Sequence, residues 1–274
     1  MPFDILPSTD LIDRTLGIEN SYTISRMQVL ESLPGNPVGI AFRHAGATAI
    51  GMMAKHFPNP NFNKIVGLRG GEEGEIAPLV AWCREHAVAP RFEILPREGD
   101  VELTRELARL GFFASSFHTS LVRDTSPIAK AARSGDVEQV TTPDVLEEFL
   151  DAYSAGWGVP DSEGFKRNVR PWLGRKGWSL FLAREGGRPA ATAILFIEDR
   201  TAYLADASCD PEFRRRGLQL ALLERRINEA IAAGVDFICS GAAFQSGSHR
   251  NMERSGMRIQ FVRSIWTERE AGLV

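Results

Sequence analysis

Hydrophobic and polar positions follow two spacings along this chain, and together they predict a mixed α/β protein. Apolar residues at alternate positions predict strands, and apolar residues three or four positions apart predict helices. Before residue 130 the predicted order is one helix, three strands, a helix, a strand, a helix and a strand, at 22–32, 38–43, 47–54, 64–68, 72–86, 91–95, 101–110 and 114–122. After residue 130 it is two helices, three strands, a helix, a strand, a helix and a strand, at 143–155, 163–172, 178–184, 190–197, 201–209, 216–233, 235–239, 248–255 and 259–267.

The similar order in the two halves indicates an internal duplication. Ala47-Thr48-Ala49-Ile50 recurs as Ala191-Thr192-Ala193-Ile194, and Leu-Gly-Phe at 110–112 lies opposite Ser-Gly-Met at 255–257. The segment 123–136 contains Pro, Gly and small polar residues and reads as a linker. We therefore expect two tandem domains, 1–130 and 131–274, each with a mixed, mostly antiparallel sheet flanked by helices.

Composition narrows the class of protein. The 274 residues are 43% hydrophobic and carry a formal net charge of −3, which gives no general affinity for nucleic acid or for an anionic membrane. The three cysteines are far apart and lack metal-ligand spacing, so we expect reduced thiols and no metal site. The first ten residues resemble no leader, and no apolar run approaches the ~20 residues that span a bilayer. These features predict a cytoplasmic protein.

The stretch 214–219, Arg-Arg-Arg-Gly-Leu-Gln, joins a predicted strand to a predicted helix. Glycine permits close approach of a ligand to the backbone, and the first turn of a helix offers unpaired N–H groups and a positive dipole end. A diphosphate therefore suits this turn, although three arginines could also simply solvate a helix start. The corresponding turn of the first half contains Glu72, Glu73 and Glu75, which would oppose a phosphate. An ordinary loop with acids near a helix start is the favoured interpretation there.

Residues 203–257 resemble the GCN5-related N-acetyltransferases (GNAT), which surround the diphosphate of acetyl-CoA with a strand, an Arg-rich glycine turn and a long helix. The segment 206–219, with its Pro-Glu-Phe-Arg lead-in, carries the resemblance. It implies acyl-CoA N-acyltransferase-like domains, the first a degenerate copy, and acetyl-CoA as acyl donor without a metal. The residues implied to bind the cofactor are Ala207, Ser208, Cys209, Arg214, Arg215, Arg216, Gly217, Leu218, Gln219, Leu220 and Asn251. Gln219 departs from the usual Gly or Ala, and Asn251 could alternatively be a polar residue at a helix start.

The resemblance leaves the acid and base of the reaction open. Met252 stands where family members often have a proton-donating tyrosine, and a thioether cannot donate a proton, so Ser248, His249 or water would have to substitute. Ser248 has the alternative role of a helix N-cap. The resemblance makes Asp206 the first candidate for general base, because the signature often carries an acidic residue three before the end of the strand that contacts pantetheine. Strand alternation predicts that it points away from a face shared by Ala205, Ala207 and Cys209; a structural carboxylate is the alternative. Cys209 is expected to pack rather than act as a nucleophile.

The acceptor loop is expected at 156–161, where Trp157, Val159 and Asp161 are the candidate residues. Trp157 and Trp172 could also anchor the core. The leading hypothesis is an acetyl-CoA-dependent N-acetyltransferase that acts on a primary amine of a small molecule, amino acid or peptide, as a monomer or homodimer. A non-catalytic acyl-CoA sensor is one alternative. A site for another phosphorylated ligand, such as a nucleotide, is a second, although the sequence has no P-loop motif.

Overall fold

A computed structural model gives the fold and describes residues 7–57, 59–95, 97, 100–128, 136–159 and 163–269. It confirms the predicted mixed α/β class, with sheet strands flanked by helices. The helices are α1 (Thr9–Glu31), α2 (Ile76–Glu85), α3 (Val101–Arg109), α4 (Pro143–Trp157), α5 (Glu163–Val169), α6 (Leu218–Ala232) and α7 (Gly247–Arg254). The strands are β1 (Ile40–Ala45), β2 (Ala49–Ala54), β3 (Lys64–Val66), β4 (Arg91–Ile94), β5 (Phe112–Arg123), β6 (Asp136–Gln139), β7 (Trp178–Glu185), β8 (Arg188–Glu198), β9 (Thr201–Cys209), β10 (Phe237–Ala243) and β11 (Arg258–Glu268).

Two compact units make up the fold. Among the described residues, the larger unit takes residues 7–22 and 120–260, and the smaller unit takes 23–119 and 261–269. A single cut near residue 130 would keep α1 whole in the first half and β11 whole in the second. The two units divide the chain differently, because each of these two elements is shared between them. The duplication stays a prediction.

The larger unit is built on strands in the order β10-β9-β8-β7-β6. The neighbours from β6 to β9 are antiparallel, whereas β9 and β10 run parallel and are connected through α6. Parallel neighbours need such a crossover. On one sheet face, Ala193 and Leu195 of β8 share a buried cluster with Leu222 and Ile227 of α6. Burial of this apolar surface fixes the helix on the sheet.

Aromatic side chains cover the opposite face of the larger unit. The ring centroid of Tyr22 lies 4.9 Å from that of Trp178 and 5.8 Å from that of Phe196. Trp172 lies 5.4 Å from Trp178 and is 3% exposed, so it is a core anchor. The two faces therefore differ in character, with aliphatic packing against α6 and aromatic packing on the other side.

The smaller unit contains strands in the order β1-β2-β3-β4-β11. The pair β3 and β4 is parallel and is connected through α2, in the same way as β9 and β10 through α6. Leu79 and Cys83 of α2 pack with Phe92 and Ile94 of β4 in one buried cluster. The parallel pair thus has its own helical cover.

Several predicted boundaries are wrong. Helix α1 begins at Thr9 rather than at residue 22, because Leu11, Thr15, Ile18 and Tyr22 form a buried stripe at helical spacing. Strand β6 was not expected, since Asp-Val-Glu-Gln is short and polar, yet it pairs with β7. Strand β10 begins at residue 237 and extends to residue 243 rather than ending at 239. Residues 129–135 of the expected linker lie outside the described residues.

Candidate functional site

Strands β9 and β10 pair only over their first residues. The parallel register runs from Thr201 opposite Phe237 to Leu204 opposite Ser240, although β9 continues to residue 209 and β10 to residue 243. Beyond the last pair, the edge of β9 that faces β10 is therefore outside this ladder. Such an edge can pair with an extended chain as an added strand would.

A β-bulge lies at the point where the two strands part. The register of β8 against β9 shifts between Thr192 and Ile194, and Asp206 on the opposing strand has φ of +37°. A bulge inserts one residue and reverses the alternation beyond it. Accordingly, Ala207 and Cys209 pack on the same buried cluster as Ala202 and Leu204. The predicted face shared by Ala205, Ala207 and Cys209 is wrong for this reason.

The turn that follows β9 leads into the N-terminus of α6. Gly217 is the N-cap residue, with φ of +85°, and no side chain caps the helix there. A positive φ is far less costly for glycine than for other residues. The uncapped first turn directs its backbone N–H groups outward. These groups, with the positive end of the helix dipole, provide an anion site of the kind expected from the sequence.

A cavity of about 640 Å³ joins the edge of β9 to this turn. Its lining contains three arginines and no Asp or Glu. The lining residues are Gly156, Trp157, Ala207, Ser208, Cys209, Phe213, Arg214, Arg215, Gly217, Leu218, Gln219, Leu220, Gly247, Ser248, Asn251 and Arg254. The structure therefore brings together every residue expected to bind the cofactor except Arg216. The positive lining favours an anionic ligand.

Two of the three arginines of the turn, Arg214 and Arg216, make different contacts. Arg214 Nε donates a hydrogen bond to the Cys209 carbonyl at 3.2 Å. Arg216 lies outside the cavity lining, because its Nη1 is 3.5 Å from Glu185 Oε1 and its guanidinium lies 5.4 Å from the Phe213 ring centroid. The side chain of Arg216 thus belongs to a surface ion pair.

Gln219, which departs from the family pattern, connects α6 to α7. Its Nε2 donates to Ser248 Oγ at 2.8 Å, and its Oε1 accepts from Asn251 Nδ2 at 2.7 Å. Asn251 Oδ1 in turn accepts from Arg254 Nη1 at 2.9 Å. This chain of hydrogen bonds orders one wall of the cavity. It also makes Asn251 more than a polar residue at a helix start.

Asp206, the candidate base, precedes the lining residue Ala207, lies outside the lining itself and contacts α4. Its Oδ2 accepts a hydrogen bond from the Tyr153 hydroxyl at 3.2 Å. The Tyr153 ring stacks on Phe149 and Phe165, with centroid distances of 5.7 and 5.8 Å. Tyr153 is therefore held rigidly, and it limits the orientations open to the carboxylate.

The candidate acids differ in their surroundings. Met252 is buried in the core cluster with α6 and presents no polar hydrogen. His249 is 4% exposed and lies outside the cavity lining, and its Nδ1 accepts from the Gln245 amide at 3.0 Å. That bond gives the imidazole a structural role. Ser246, not Ser248, is the N-cap of α7, since its side chain accepts from the His249 amide. Of the side chains of Met252, His249 and Ser248, that of Ser248 is the one that lines the cavity.

The expected acceptor loop is only partly at the cavity. Trp157 lines it and is 48% exposed, so it is not a core anchor. Val159 lies outside the lining, and its amide donates to the Ser154 carbonyl at 3.1 Å, at the end of α4. Asp161 lies outside the described residues.

Burial raises the pKa of the Cys209 thiol, with Arg214 opposing the effect and the Asp210 carboxylate adding to it. This cysteine is therefore a weak nucleophile at neutral pH.

The corresponding turn of the smaller unit is filled by the protein's own carboxylates. Glu72 accepts from the Ala47 amide at 2.6 Å and from the Arg69 amide at 2.9 Å, and Asp100 accepts from the Gly70 amide at 2.8 Å. Backbone N–H groups that could bind a phosphate are thereby already paired. This arrangement supports the interpretation that the first half holds no phosphate.

Four residues of the site were not foreseen from the sequence, namely Tyr153 and the lining residues Phe213, Gly247 and Arg254. Arg254 had a usable signal, because it lies three residues after Asn251 on a predicted helix and so shares its face. Tyr153 had none, since its contact with Asp206 depends on how α4 packs against β9.

Metal-binding clusters and membrane-spanning helices are both absent from the described ranges. No group of three or more His, Cys, Asp or Glu side chains there could hold a metal ion. Among the helices of those ranges, none is both long and apolar enough to cross a bilayer.

Comparison with known proteins finds a family whose model matches part of this chain. A family model described as an acetyltransferase (GNAT) domain matches residues 123–246. A solved GCN5-related N-acetyltransferase from Kribbella flavida is 15% identical, with a TM-score of 0.65 over 93% of this chain and 97% of its own. A second, from Sphaerobacter thermophilus, is 16% identical, with a TM-score of 0.60 over 93% and 90%. A functionally unknown conserved protein from Staphylococcus epidermidis is 13% identical, with a TM-score of 0.62 over 85% and 96%.

No curated protein sequence gives a significant match. At identities of 13 to 16%, the structural matches show a shared fold and carry no information on the substrate.

Proposed function

Residues 123–246 match a GNAT acetyltransferase domain, and from that premise we propose that this chain is an acetyl-CoA-dependent N-acetyltransferase that acylates a primary amine. One observation carries the proposal: an uncapped helix start, a cation-lined cavity and the separating edge of β9 adjoin one another. A diphosphate with an extended amide-containing arm has this combination of charge and shape.

The residues present suit acetyl-CoA. The backbone amides from Arg215 to Leu220 would hold the diphosphate, with charge neutralisation from Arg215 and Arg254. The backbone of Ala207 and Cys209 would pair with the pantetheine amides. Bound acetyl-CoA would supply an acyl group activated by a thiol leaving group.

The acceptor amine must lose a proton before it can attack. Asp206 is the carboxylate assigned to take that proton, because it adjoins the point where β9 and β10 separate and Tyr153 orients it. Exposed Trp157 would contribute an apolar surface for the acceptor.

The leaving sulfur also needs a proton. Ser248 is assigned this role, since its Oγ accepts from Gln219 and its own hydroxyl hydrogen can be donated into the cavity. A non-catalytic acyl-CoA sensor is the second candidate, and buried Met252 at the usual tyrosine position favours it.

Ligand-dependent melting tests the cofactor assignment. Acetyl-CoA and CoA should raise the melting temperature, whereas ATP should raise it less, because a ligand that binds only the native state stabilises it. Gly217→Ala should abolish most of the shift. Gly234→Ala is the matched control, because Gly234 also has a positive φ, +72°, at the other end of α6 and a Cβ there meets no atom within 4 Å. A wild-type protein that responds to neither CoA species would exclude the assignment.

Thiol release from acetyl-CoA over a panel of amines then separates the two candidates. A transferase releases thiol with at least one amine, and a sensor with none. Asp206→Asn should leave the acetyl-CoA shift intact and slow release about 100-fold or more; unchanged release would remove Asp206 as base. The class of amine, the monomeric or homodimeric state, the cytoplasmic location and the absence of nucleic-acid binding stay predictions.

A further inference from the structure

Arg226 is a buried arginine of α6 that has no part in the cofactor cavity. Its side chain is 1% exposed. Nη1 donates to the carbonyls of Ile194 and Ala205 at 2.9 and 3.0 Å, and Nε donates to the Leu222 carbonyl at 3.0 Å. Burial of a charged side chain is costly, so its position needs a reason.

The two strand carbonyls belong to the β-bulge. Ile194 and Ala205 are the paired residues next to the register shift, and Asp206 follows directly with its positive φ. A bulge disrupts the ladder locally, and buried carbonyls that leave a ladder need another donor. Arg226 supplies that donor to both strands from one nitrogen.

The charge of Arg226 acts on the same place. Burial lowers its pKa to about 9, against the opposing influence of Tyr22 and Asp206, so the guanidinium is positive at neutral pH. Tyr22 of α1, Tyr153 of α4 and Arg226 of α6 are the titratable groups that the described contacts place around Asp206 and its bulge. Of these only Arg226 is positive, and a charged donor makes stronger hydrogen bonds to the bulge carbonyls than a neutral donor would.

We propose that Arg226 is a positioning residue for acyl transfer, which holds the bulge that orients Asp206. The inference rests on the proposed function, because Asp206 is the base assigned there. Arg226 itself touches no substrate. Its effect on the reaction passes through the backbone carbonyls of Ile194 and Ala205.

The test compares Arg226→Met with Arg226→Lys, and uses Arg225→Met as control. Arg225 is the next residue on the same helix, is 40% exposed and forms an ion pair with Glu229 at 2.6 Å. Backbone amide exchange in residues 203–209 should accelerate at least tenfold in Arg226→Met and not in the control. This measurement needs neither cofactor nor turnover.

Activity gives the second readout. Arg226→Met should lower kcat/KM about 100-fold per folded molecule, as misplacement of a catalytic group does. The loss should fall on kcat more than on the KM for acetyl-CoA, because the bulge orients Asp206 and lies apart from the diphosphate turn. Arg226→Lys keeps a charged donor, so it should recover at least tenfold of the lost kcat; it also serves if the Met variant fails to fold.

The outcomes are distinct. Normal exchange in residues 203–209, or an unchanged kcat per folded molecule in Arg226→Met, would overturn the positioning role. A purely structural role would lower the melting temperature and the folded fraction without lowering kcat per folded molecule. A wild type that releases no thiol with any amine would refute the proposed function, and with it the catalytic part of this inference, while the exchange data would still report whether Arg226 holds the bulge.

Discussion

Replacement of Gly156 by alanine tests how closely α4 packs on β9. The change should favour the helix itself but crowd its contact with the strand. Gly156 lies in the last turn of α4, where a Cβ would contact Ser208 Oγ and would lie 2.7 Å from Ser208 Cβ and 3.0 Å from the Cys209 amide nitrogen. Real Cβ atoms do not tolerate such distances from a strand. The helix or the end of β9 must move.

Two opposing effects set the magnitude. In a helix, Gly→Ala stabilises by about 1 kcal/mol through backbone entropy. Overpacking against a fixed neighbour costs about 1 to 3 kcal/mol. We expect Gly156→Ala to lower the free energy of unfolding by up to about 2 kcal/mol. Since the moved backbone at Ser208 and Cys209 lines the cavity, acetyl-CoA should also bind at least tenfold more weakly.

Gly17→Ala is the matched control, because Gly17 is an exposed helical glycine of α1 whose Cβ would meet no atom within 4 Å. It should gain about 1 kcal/mol, or a few degrees in melting temperature, with unchanged affinity. Denaturant unfolding and calorimetric titration measure both quantities. If Gly156→Ala gains stability as Gly17→Ala does and binds acetyl-CoA normally, the close contact of α4 with β9 is wrong.

Three further predictions concern a thiol, a buried histidine and the filled turn. Alkylation of Cys209 should be slow at pH 7 and should accelerate about tenfold per pH unit up to at least pH 9, because the pKa of its thiol is raised. CoA should block the reaction, because Cys209 lines the cavity. An alkylation rate that does not depend on CoA, measured by mass spectrometry, would contradict the position of Cys209 in the lining. Burial lowers the pKa of His118 from 6.5 to about 3, so below pH 6.5 the unfolded chain takes up a proton that the folded chain refuses, and stability falls. Urea unfolding at pH 7.5 and 5.0 should therefore show a loss of up to about 2 kcal/mol that is absent in His118→Asn; equal losses would refute this origin. Glu72→Ala should lower the free energy of unfolding by about 2 kcal/mol, because two hydrogen bonds to backbone amides are lost. Calorimetric titration of the wild type should find one acetyl-CoA per chain. Two per chain would show that the filled turn does not prevent binding.

The turn at residues 214–220 was predictable because its determinants are local. A glycine between an alternating strand and a periodic helix indicates an open helix start whatever lies around it, and Gly217 takes the positive φ that this requires. The order of strands and helices was predictable for the same reason. Strand β6 was not, because its four residues have no apolar alternation and depend on pairing with β7.

The orientation of side chains at the site depends on partners distant in sequence. Arg216 turns away from the cavity because Glu185 of β7 attracts it. The direction of the Asp206 side chain could not be predicted from strand alternation, because the bulge changes that alternation. The bulge in turn receives hydrogen bonds from Arg226, which lies twenty residues after Asp206. Local pattern therefore identifies what the site can hold, and tertiary packing decides which side chain faces it.

Helix α6 connects the separate parts of the proposed chemistry. Its first turn provides the open amides, Gln219 orders the wall formed by α7, and Arg226 holds the bulge beside Asp206. A helix moves on its sheet as a nearly rigid body, and Leu222 and Ile227 fix its position in the core. Leu222→Ala, which makes a cavity beneath α6, should therefore weaken cofactor binding and slow proton removal together. A change in α4 near Tyr153 should slow proton removal by Asp206 and have little effect on binding at the diphosphate site.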